Sequence, residues 1–209
     1  MIYRITWLLL RCVFRLFFRW RVLHPERVPA SGPVLLAANH ESNLDPPAVA
    51  VGISRPCASL AKEELFRHPL FGWYLRRLNA FPVRRGEPDR AALQRALEYL
   101  NQGWPLIVFP EGTRSDTGEL REAELGIALL AYRTGAPVVP VCLHGTRHAL
   151  PRGGKPRRFP FTVTYGEPLR FSLPEGQRAR REEYSAAAAE IMAAIARLRE
   201  SADPLRSED

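Results

Sequence analysis

The chain has 209 residues, of which 46% are hydrophobic and 25% are charged, and these values are ordinary for a globular protein with one sizeable core. Its formal net charge of +8 favours polyanionic partners such as nucleic acid, anionic lipid surfaces or phosphorylated substrates. The three cysteines, Cys12, Cys57 and Cys142, lack metal-like spacing, which argues against a disulfide framework and a zinc site and favours a reducing, cytosol-facing compartment.

The N-terminal segment, residues 1–24, predicts a basic amphipathic helix. Arginines interrupt its apolar run too often for the ~18–20 residues that a membrane span needs, and no signal-peptide pattern is present. On a helix, several arginines share one face, and the large apolar side chains fall largely opposite: Arg4, Arg11, Arg15 and Arg19 against Trp7, Leu10, Phe14, Phe17 and Phe18. This pattern is typical of a helix that lies in the membrane interface. The alternative is a helix that covers the protein core and turns a solvated basic face outward.

An apolar run at residues 34–38 predicts a short buried strand, and a polar cluster follows it. Residues 39–45 read NHESNLD, so four residues separate His40 from Asp45. Pro46 predicts a helix start here, with Asp45 as the N-cap. On a regular helix the two side chains would not share a face, so they can meet only if the backbone turns between them. A pair of this kind can also be a capping aspartate beside a structural histidine.

Strands alternate with helices along the rest of the chain. Further strands are predicted at 81–83, 106–109, 137–143 and 161–165, and helices at 61–78, 89–100, 122–134 and 182–198. Residues 201–209 predict a frayed tail. The alternation predicts one α/β domain over residues 25–200, with a mixed, mostly buried sheet flanked by helices and preceded by the amphipathic helix.

A second polar cluster follows the predicted strand at 106–109. Residues 109–115 read FPEGTRS and include Glu111, Gly112, Thr113 and Arg114. Peptide N–H groups of this turn and the guanidinium of Arg114 could hold a phosphate, or the segment could be a solvated surface turn. Both clusters follow the C-terminal ends of strands, where α/β sheets often place ligand sites.

The residue types indicate proton transfer without a protein nucleophile. A histidine can accept a proton at neutral pH, and a carboxylate on its other ring nitrogen fixes the tautomer and stabilises the imidazolium. The chain has no Gly-x-Ser-x-Gly elbow and no cysteine in a catalytic-looking context. We therefore expect His40 to activate a substrate hydroxyl directly. Arg84 and Arg85 could add a phosphate clamp, or Arg84 could instead form a surface ion pair.

In their order and spacing, these motifs resemble the glycerolipid acyltransferases, specifically the 1-acylglycerol-3-phosphate (lysophosphatidate) acyltransferases, over residues 25–170. NHESNLD resembles the family's His-x4-Asp motif, FPVRR at 81–85 the second motif, FPEGTRS the third, and VVPVCLHGT the fourth. The resemblance implies that His40 is the base and Asp45 its partner. The acceptor-binding residues that it implies are Arg85, Glu111, Gly112, Thr113 and Arg114.

The resemblance also implies the reaction, and the N-terminal helix implies the location. A fatty acyl group would pass from a thioester, either acyl-CoA or acyl-carrier protein, to the sn-2 hydroxyl of lysophosphatidate, giving phosphatidate without a metal or another cofactor. The protein would be monotopic, on the cytoplasmic face of an anionic membrane. No nucleic-acid partner is expected, because the aromatic residues gather in the N-terminal helix and do not alternate with a basic sheet face.

Two positions depart from the pattern of many relatives. Asn79 stands where many have glycine, and asparagine tolerates left-handed backbone angles. Glu124 stands near a position where many have lysine, which removes a potential phosphate-binding charge. Two alternatives therefore stay open. The acceptor could be another lysophospholipid, glycerol-3-phosphate or a non-glycerol lipid, or the chain could be a non-catalytic basic module that binds membranes or nucleic acid.

Overall fold

Seven strands form one mixed sheet in the order β1-β7-β6-β2-β5-β3-β4. The computed structural model describes residues 1–84, 86, 89–174, 177 and 179–201. Neighbouring strands run parallel except β6 and β7, which are antiparallel. The strands are β1 (Arg21–Leu23), β2 (Val34–Ala38), β3 (Ala58–Lys62), β4 (Ala80–Val83), β5 (Pro105–Val108), β6 (Val138–His144) and β7 (Thr162–Tyr165). The predicted α/β domain with a mixed sheet is confirmed.

Helices cover both faces of this sheet. They are α1 (Ile2–Phe18), α2 (Asp45–Gly52), α3 (Pro69–Arg77), α4 (Arg90–Asn101), α5 (Gly126–Thr134), α6 (Thr146–Ala149) and α7 (Arg181–Ser201). Successive side chains of a strand point to opposite faces. Accordingly, Leu36 of β2 joins a buried cluster with α1 and α2, while Leu35 joins another with α4, α5 and α7. Both faces of β2 are buried, which explains its uninterrupted apolar run.

Five of the strands lie within one residue of their predicted bounds, but β1 and β3 were not predicted. The helix predicted at 61–78 is instead the end of β3, a 3-10 turn at Glu63–Phe66 and the shorter helix α3. The residues of β3 have little intrinsic strand preference, and pairing with β4 and β5 on either side holds them in the sheet. Asn79, just before β4, has a φ of 60°, so asparagine does adopt the left-handed conformation expected there.

Helix α1 is shorter than predicted, and it faces the core with most of the side chains that were assigned to the membrane. It ends at Phe18 because Arg19 has left-handed backbone angles, after which β1 pairs with β7. Phe14 and Phe18 are buried in the core. The prediction that these two rings enter a membrane is therefore wrong, and the core-covering alternative describes this face of the helix.

The opposite face of α1 is also apolar, and it is exposed. Its outward side chains are Ile5, Leu8, Leu9, Val13, Leu16 and Phe17. Within the described ranges, no helix combines the length and the apolar character needed to cross a membrane. Ser201 ends α7, and the remainder of the predicted tail, 202–209, lies outside the described residues. The division of the chain at residue 24 stays a prediction.

Candidate active site

The two polar clusters meet because they follow adjacent parallel strands. Strand β2 pairs with β5 in parallel, with Ala37 opposite Val108. The chain leaves both strands at the same edge of the sheet, so the NHESNLD and FPEGTRS segments lie side by side. The expectation that both clusters follow the C-terminal ends of strands is confirmed, and the structure shows that these two strands are neighbours.

His40 and Asp45 are in contact and buried. Nδ1 of His40 lies 2.8 Å from Oδ2 of Asp45, and the two residues are 3% and 0% exposed. The backbone turns between them, as the pairing required. Leu44 is the N-cap of α2, so Asp45 is the first helical residue rather than the predicted N-cap. Its side chain folds back and accepts hydrogen bonds from the peptide N–H groups of Glu41 and Ser42, each at 2.6 Å.

This network assigns the proton on the histidine ring. Peptide N–H groups can only donate, so Oδ2 of Asp45 is an acceptor for two of them and for the third group, Nδ1–H of His40. The Nδ1 proton leaves Nε2 as the basic nitrogen of a neutral ring. The arrangement can therefore hold the imidazole as a general base and stabilise the imidazolium that forms on proton uptake.

The FPEGTRS segment holds the backbone of His40 on both sides. The peptide N–H of His40 donates to Oε1 of Glu111 at 2.8 Å, and its carbonyl oxygen accepts from the N–H of Ser115 at 2.7 Å. The ring of Phe109 stacks on the imidazole, with 4.0 Å between ring centroids. These contacts restrict the position of the imidazole from the backbone and from one ring face.

Glu111 does not present its carboxylate to solvent. It is 5% exposed, and its second oxygen, Oε2, accepts the peptide N–H of Arg121 at 3.2 Å. Burial raises the pKa of the Glu111 carboxyl, and the two N–H donors lower it. The geometry favours a positioning role for Glu111 over the direct acceptor contact that the motif implied. Sequence reasoning missed this role because the partners of the carboxylate are backbone groups.

Replacing Glu111 with glutamine should lower kcat about tenfold or more and change the acceptor KM little. The two oxygens of Glu111 accept the N–H groups of His40 and Arg121, whereas a glutamine amide has only one oxygen that can accept. One N–H group therefore loses its acceptor, and a small displacement of His40 follows. Separate measurement of kcat and KM, with Glu119→Gln as a control for an exposed carboxylate in the same loop, checks this. A raised acceptor KM at unchanged kcat would instead support direct contact with the acceptor.

Burial also raises the pKa of a carboxyl group next to the site, that of Glu41. The pKa of Glu41 is raised to about 7, mainly because the group is partly buried, while Arg199 opposes the shift. The amide of Asn39 donates to the same carboxylate at 3.3 Å. A group beside the His40–Asp45 pair therefore changes its charge close to neutral pH.

The remaining implied residues lie at the outer rim of the site. Nη1 of Arg114 donates to Oδ1 of Asn43 at 3.0 Å, which links the two motifs. Gly112 has a φ of 67°, and Thr113 is half-buried. Arg85 lies outside the described residues. The ion-pair alternative describes Arg84, whose Nε lies 3.7 Å from Oδ2 of Asp89.

A cavity of about 610 Å³ opens beside Phe109 and Gly112. It lies between the sheet and helices α4 and α5, and its apolar lining includes Leu60, Val83, Ala92, Leu93, Ile127 and Leu130. Among the described residues, the charged ones that border it are Arg84, Asp89, Arg90 and Glu124. Its lining residues come from separated parts of the chain, so no sequence motif indicated it. An apolar cavity of this size can hold a hydrocarbon chain, and Phe109 connects it to the imidazole of His40.

The described part of the chain brings no three His, Cys, Asp or Glu side chains together in a way that could hold a metal ion. Burial raises the pKa of Cys57 to about 11 and that of Cys142 to about 12. Neither thiol is therefore a ready nucleophile at neutral pH, in agreement with direct activation of a substrate hydroxyl.

Comparison with known proteins identifies relatives of the chain. The model of the Acyltransferase family matches residues 19–144, which include both polar clusters. The chain is 31% identical to a chloroplastic 1-acyl-sn-glycerol-3-phosphate acyltransferase of Brassica napus, over 66% of this chain and 41% of that protein. It is 30% identical to the 1-acyl-sn-glycerol-3-phosphate acyltransferase of Bacillus subtilis, over 71% of this chain and 73% of that protein. It is 34% identical to a lyso-ornithine lipid O-acyltransferase of Pseudomonas aeruginosa, over 63% of this chain and 53% of that protein.

A solved structure has the same fold. The 1-acyl-sn-glycerophosphate acyltransferase of Thermotoga maritima is 30% identical, superposes with a TM-score of 0.74, and covers 93% of this chain and 76% of its own. The chain spans about two fifths of the length of the chloroplastic relatives that it matches.

Proposed function

Because the chain belongs to the Acyltransferase family, we propose that it transfers a fatty acyl group from a thioester to the free hydroxyl of a lyso-lipid. Lysophosphatidate is the first candidate acceptor, acylated at its sn-2 hydroxyl to give phosphatidate, because several relatives carry that activity in their names. The observation that carries the proposal is the buried contact between His40 and Asp45, next to an apolar cavity.

In the proposed reaction, Nε2 of His40 removes the proton of the acceptor hydroxyl while the hydroxyl oxygen attacks the thioester carbonyl carbon. The carbon–sulfur bond then breaks, an ester forms, and the imidazolium returns the proton to the departing thiolate. Asp45 stabilises the imidazolium through Nδ1–H. A base of this kind contributes ~10²–10⁴-fold to the rate, and positioning of both substrates supplies much of the remainder.

We propose that the cavity beside Phe109 receives a fatty acyl chain, since its lining is largely apolar and includes Phe109, whose ring stacks on the imidazole. The donor is acyl-CoA or acyl-carrier protein, and the reaction as written requires no further cofactor. Gly112, Thr113 and Arg114 lie at the rim, where the proposed acceptor phosphate would bind, and Arg85 is proposed to join them. Glu111 is proposed to position His40 instead.

A panel of acceptors tests the proposal directly. The purified protein is incubated with acyl-CoA or acyl-carrier-protein donors and with lysophosphatidate, other lysophospholipids or glycerol-3-phosphate, and the products are analysed by mass spectrometry. We expect a product whose mass is that of the acceptor plus one acyl group. The absence of acyl transfer to every lyso-lipid, with a folded protein and either donor, would contradict the proposal.

We further propose that the outward face of α1 holds the protein on the cytoplasmic surface of an anionic membrane. Leu9 and Leu16 are 61% and 77% exposed on this face. Helix α3 adds exposed apolar side chains at Leu70, Phe71 and Trp73, and it is tied to α1 by a hydrogen bond of 2.9 Å between Thr6 and Tyr74. Exposed arginines on the flank of α1 suit anionic head groups, which supports a monotopic attachment.

Replacing Leu9 and Leu16 together with glutamate should weaken binding to anionic vesicles about 10–100-fold, because each exposed leucine loses the free energy of entering the acyl region. The matched control is Gln94→Glu with Gln102→Glu, which makes the same charge change on α4 and at its C-cap, on the other side of the sheet. Liposome flotation measures the difference. Equal binding of the two double variants would contradict the proposed face. Deletion of α1 is a poorer test, because it also removes Phe14 and Phe18 from the core.

A second candidate acceptor is a lyso-lipid other than lysophosphatidate. Two observations favour it: Glu124 borders the cavity with a negative charge, and a relative of similar identity is named for a lyso-ornithine lipid. The transfer chemistry proposed for His40 and Asp45 is the same for either acceptor.

A further inference from the structure

We propose that the carboxylate of Glu124 forms a cation subsite at the mouth of the cavity, so that the enzyme also acylates a lyso-lipid whose headgroup carries an ammonium group. This inference rests on the proposed acyl transfer and names a class of acceptor for the same site. It assigns to Glu124 a role in acceptor specificity, separate from the proton transfer at His40.

Glu124 is held on the loop that positions the imidazole. Its peptide N–H donates to the carbonyl oxygen of Pro110 at 2.8 Å. Glu111, which follows Pro110, accepts a hydrogen bond from the backbone N–H of His40. The carboxylate of Glu124 lies over Gly112: a Cβ atom added at Gly112 would be 2.0 Å from Oε1 of Glu124. Glycine at position 112 therefore leaves the space that this carboxylate occupies, within the loop that contacts His40.

Among the described residues, Asp89 and Glu124 place carboxylates at the border of the cavity, and these two differ in their partners. Asp89 is the N-cap of α4: its oxygens accept the peptide N–H groups of Arg84 at 2.9 Å and of Ala92 at 3.0 Å. The side chain of Glu124 is exposed and makes no hydrogen bond or ion pair with any residue for which the structure gives a position. Glu124 can therefore accept a cationic group from a ligand without breaking a contact of the protein.

The charges around the cavity suit a headgroup with both signs. The carboxylate of Glu124 attracts an ammonium group beside Gly112, and it makes a headgroup that carries only negative charge less favourable than one that also carries an ammonium. Arg90 borders the same cavity from the start of α4 and offers a positive charge for the anionic part of the headgroup. A lysine at position 124 would reverse this preference. The geometry therefore favours an amine-bearing acceptor over one whose headgroup is purely anionic.

Three acceptors in neutral-detergent micelles test the subsite: lysophosphatidylethanolamine, its N-acetyl derivative, which lacks the ammonium charge, and lysophosphatidate. For the unaltered protein we expect N-acetylation to lower kcat/KM about two- to fivefold, the range of a solvent-exposed ion pair. Glu124→Gln should abolish this difference and raise kcat/KM for lysophosphatidate several-fold, and Glu124→Lys should raise it further. Opposite changes on two acceptors cannot arise from a partly unfolded variant.

The matched control is Glu122→Gln, which makes the same charge change two residues away, outside the cavity lining, and should alter none of the ratios. The inference is overturned if N-acetylation has no effect on the unaltered protein, or if Glu124→Gln changes all three acceptors by the same factor. Failure of the proposed function gives a different result, namely no acylation of any of the three acceptors by any variant.

Discussion

Replacement of His40 with alanine should lower acyl transfer to a lyso-lipid by about 10²–10⁴-fold while the protein stays folded. Alanine removes the proposed base and leaves the acceptor hydroxyl to lose its proton to water. The donor and acceptor would still bind, because the cavity and the rim residues are unchanged, so the loss should fall on kcat rather than on KM. Single-turnover rates with a fixed donor and a saturating acceptor measure the effect.

Two controls separate chemistry from folding. His40 is buried and stacks on Phe109, so its truncation is expected to cost about 1–3 kcal/mol of stability, which thermal unfolding will report. His40→Gln keeps more of the volume and should be equally inactive. His24→Asn changes an exposed histidine that directly follows β1, and asparagine tolerates its φ of 57°. This control variant should retain full activity. Near-normal turnover by His40→Ala would exclude the residue as the base.

From the sequence, the contact between His40 and Asp45 could be predicted only on the condition that the backbone turns between them. Their spacing excludes a regular helix between them, and the motif does not say where the chain turns. The structure supplies the reason for the turn: the side chain of Asp45 binds the peptide N–H groups of Glu41 and Ser42. The same oxygen that orients the imidazole also folds the segment that carries it. Replacing Asp45 therefore tests geometry and electrostatics together.

The role of Glu111 could not be predicted, because its partners are peptide groups. A motif shows that a carboxylate is present, but it does not show which backbone N–H that carboxylate accepts. In the fold, one of these N–H groups belongs to a residue 71 positions earlier in the chain. The roles implied for Gly112, Thr113 and Arg114 stay predictions, and Arg85 lies outside the described residues.

The strands with strong apolar runs were predicted well, and the strands held by their neighbours were not. β2 is buried on both faces, and its uninterrupted apolar composition is typical of such a strand, whereas β3 depends on pairing with β4 and β5. For α1 the sequence predicted an amphipathic helix, but it has two apolar faces. Periodicity alone does not tell which of them meets the core, since that depends on the position of Phe161 and of the other residues around Phe14.

Replacement of Asp45 with asparagine should lower kcat by about 10²–10⁴-fold, close to the loss caused by His40→Ala. Oδ2 of Asp45 receives three donors, and an asparagine can place only a neutral amide oxygen there. The imidazolium that forms during proton transfer then has no charged partner. If the amide nitrogen takes the Oδ2 position, it opposes three donors, and the ring changes to the tautomer whose Nε2 carries the proton and cannot accept another.

The double variant His40→Ala with Asp45→Asn distinguishes an action through the histidine from an independent one. If Asp45 acts by orienting and stabilising the imidazole, the double variant should be about as slow as His40→Ala alone, because residues that act as a unit are not additive. Losses that multiply would mean that Asp45 contributes by another route, such as holding the 39–45 turn beside the acceptor. Thermal unfolding of all three variants is needed beside the kinetics, since Asp45 is buried at the first turn of α2 and its replacement also weakens the bonds to Glu41 and Ser42. A selective fall in kcat with little change in acceptor KM would identify charge stabilisation of the imidazolium as the larger of the two effects.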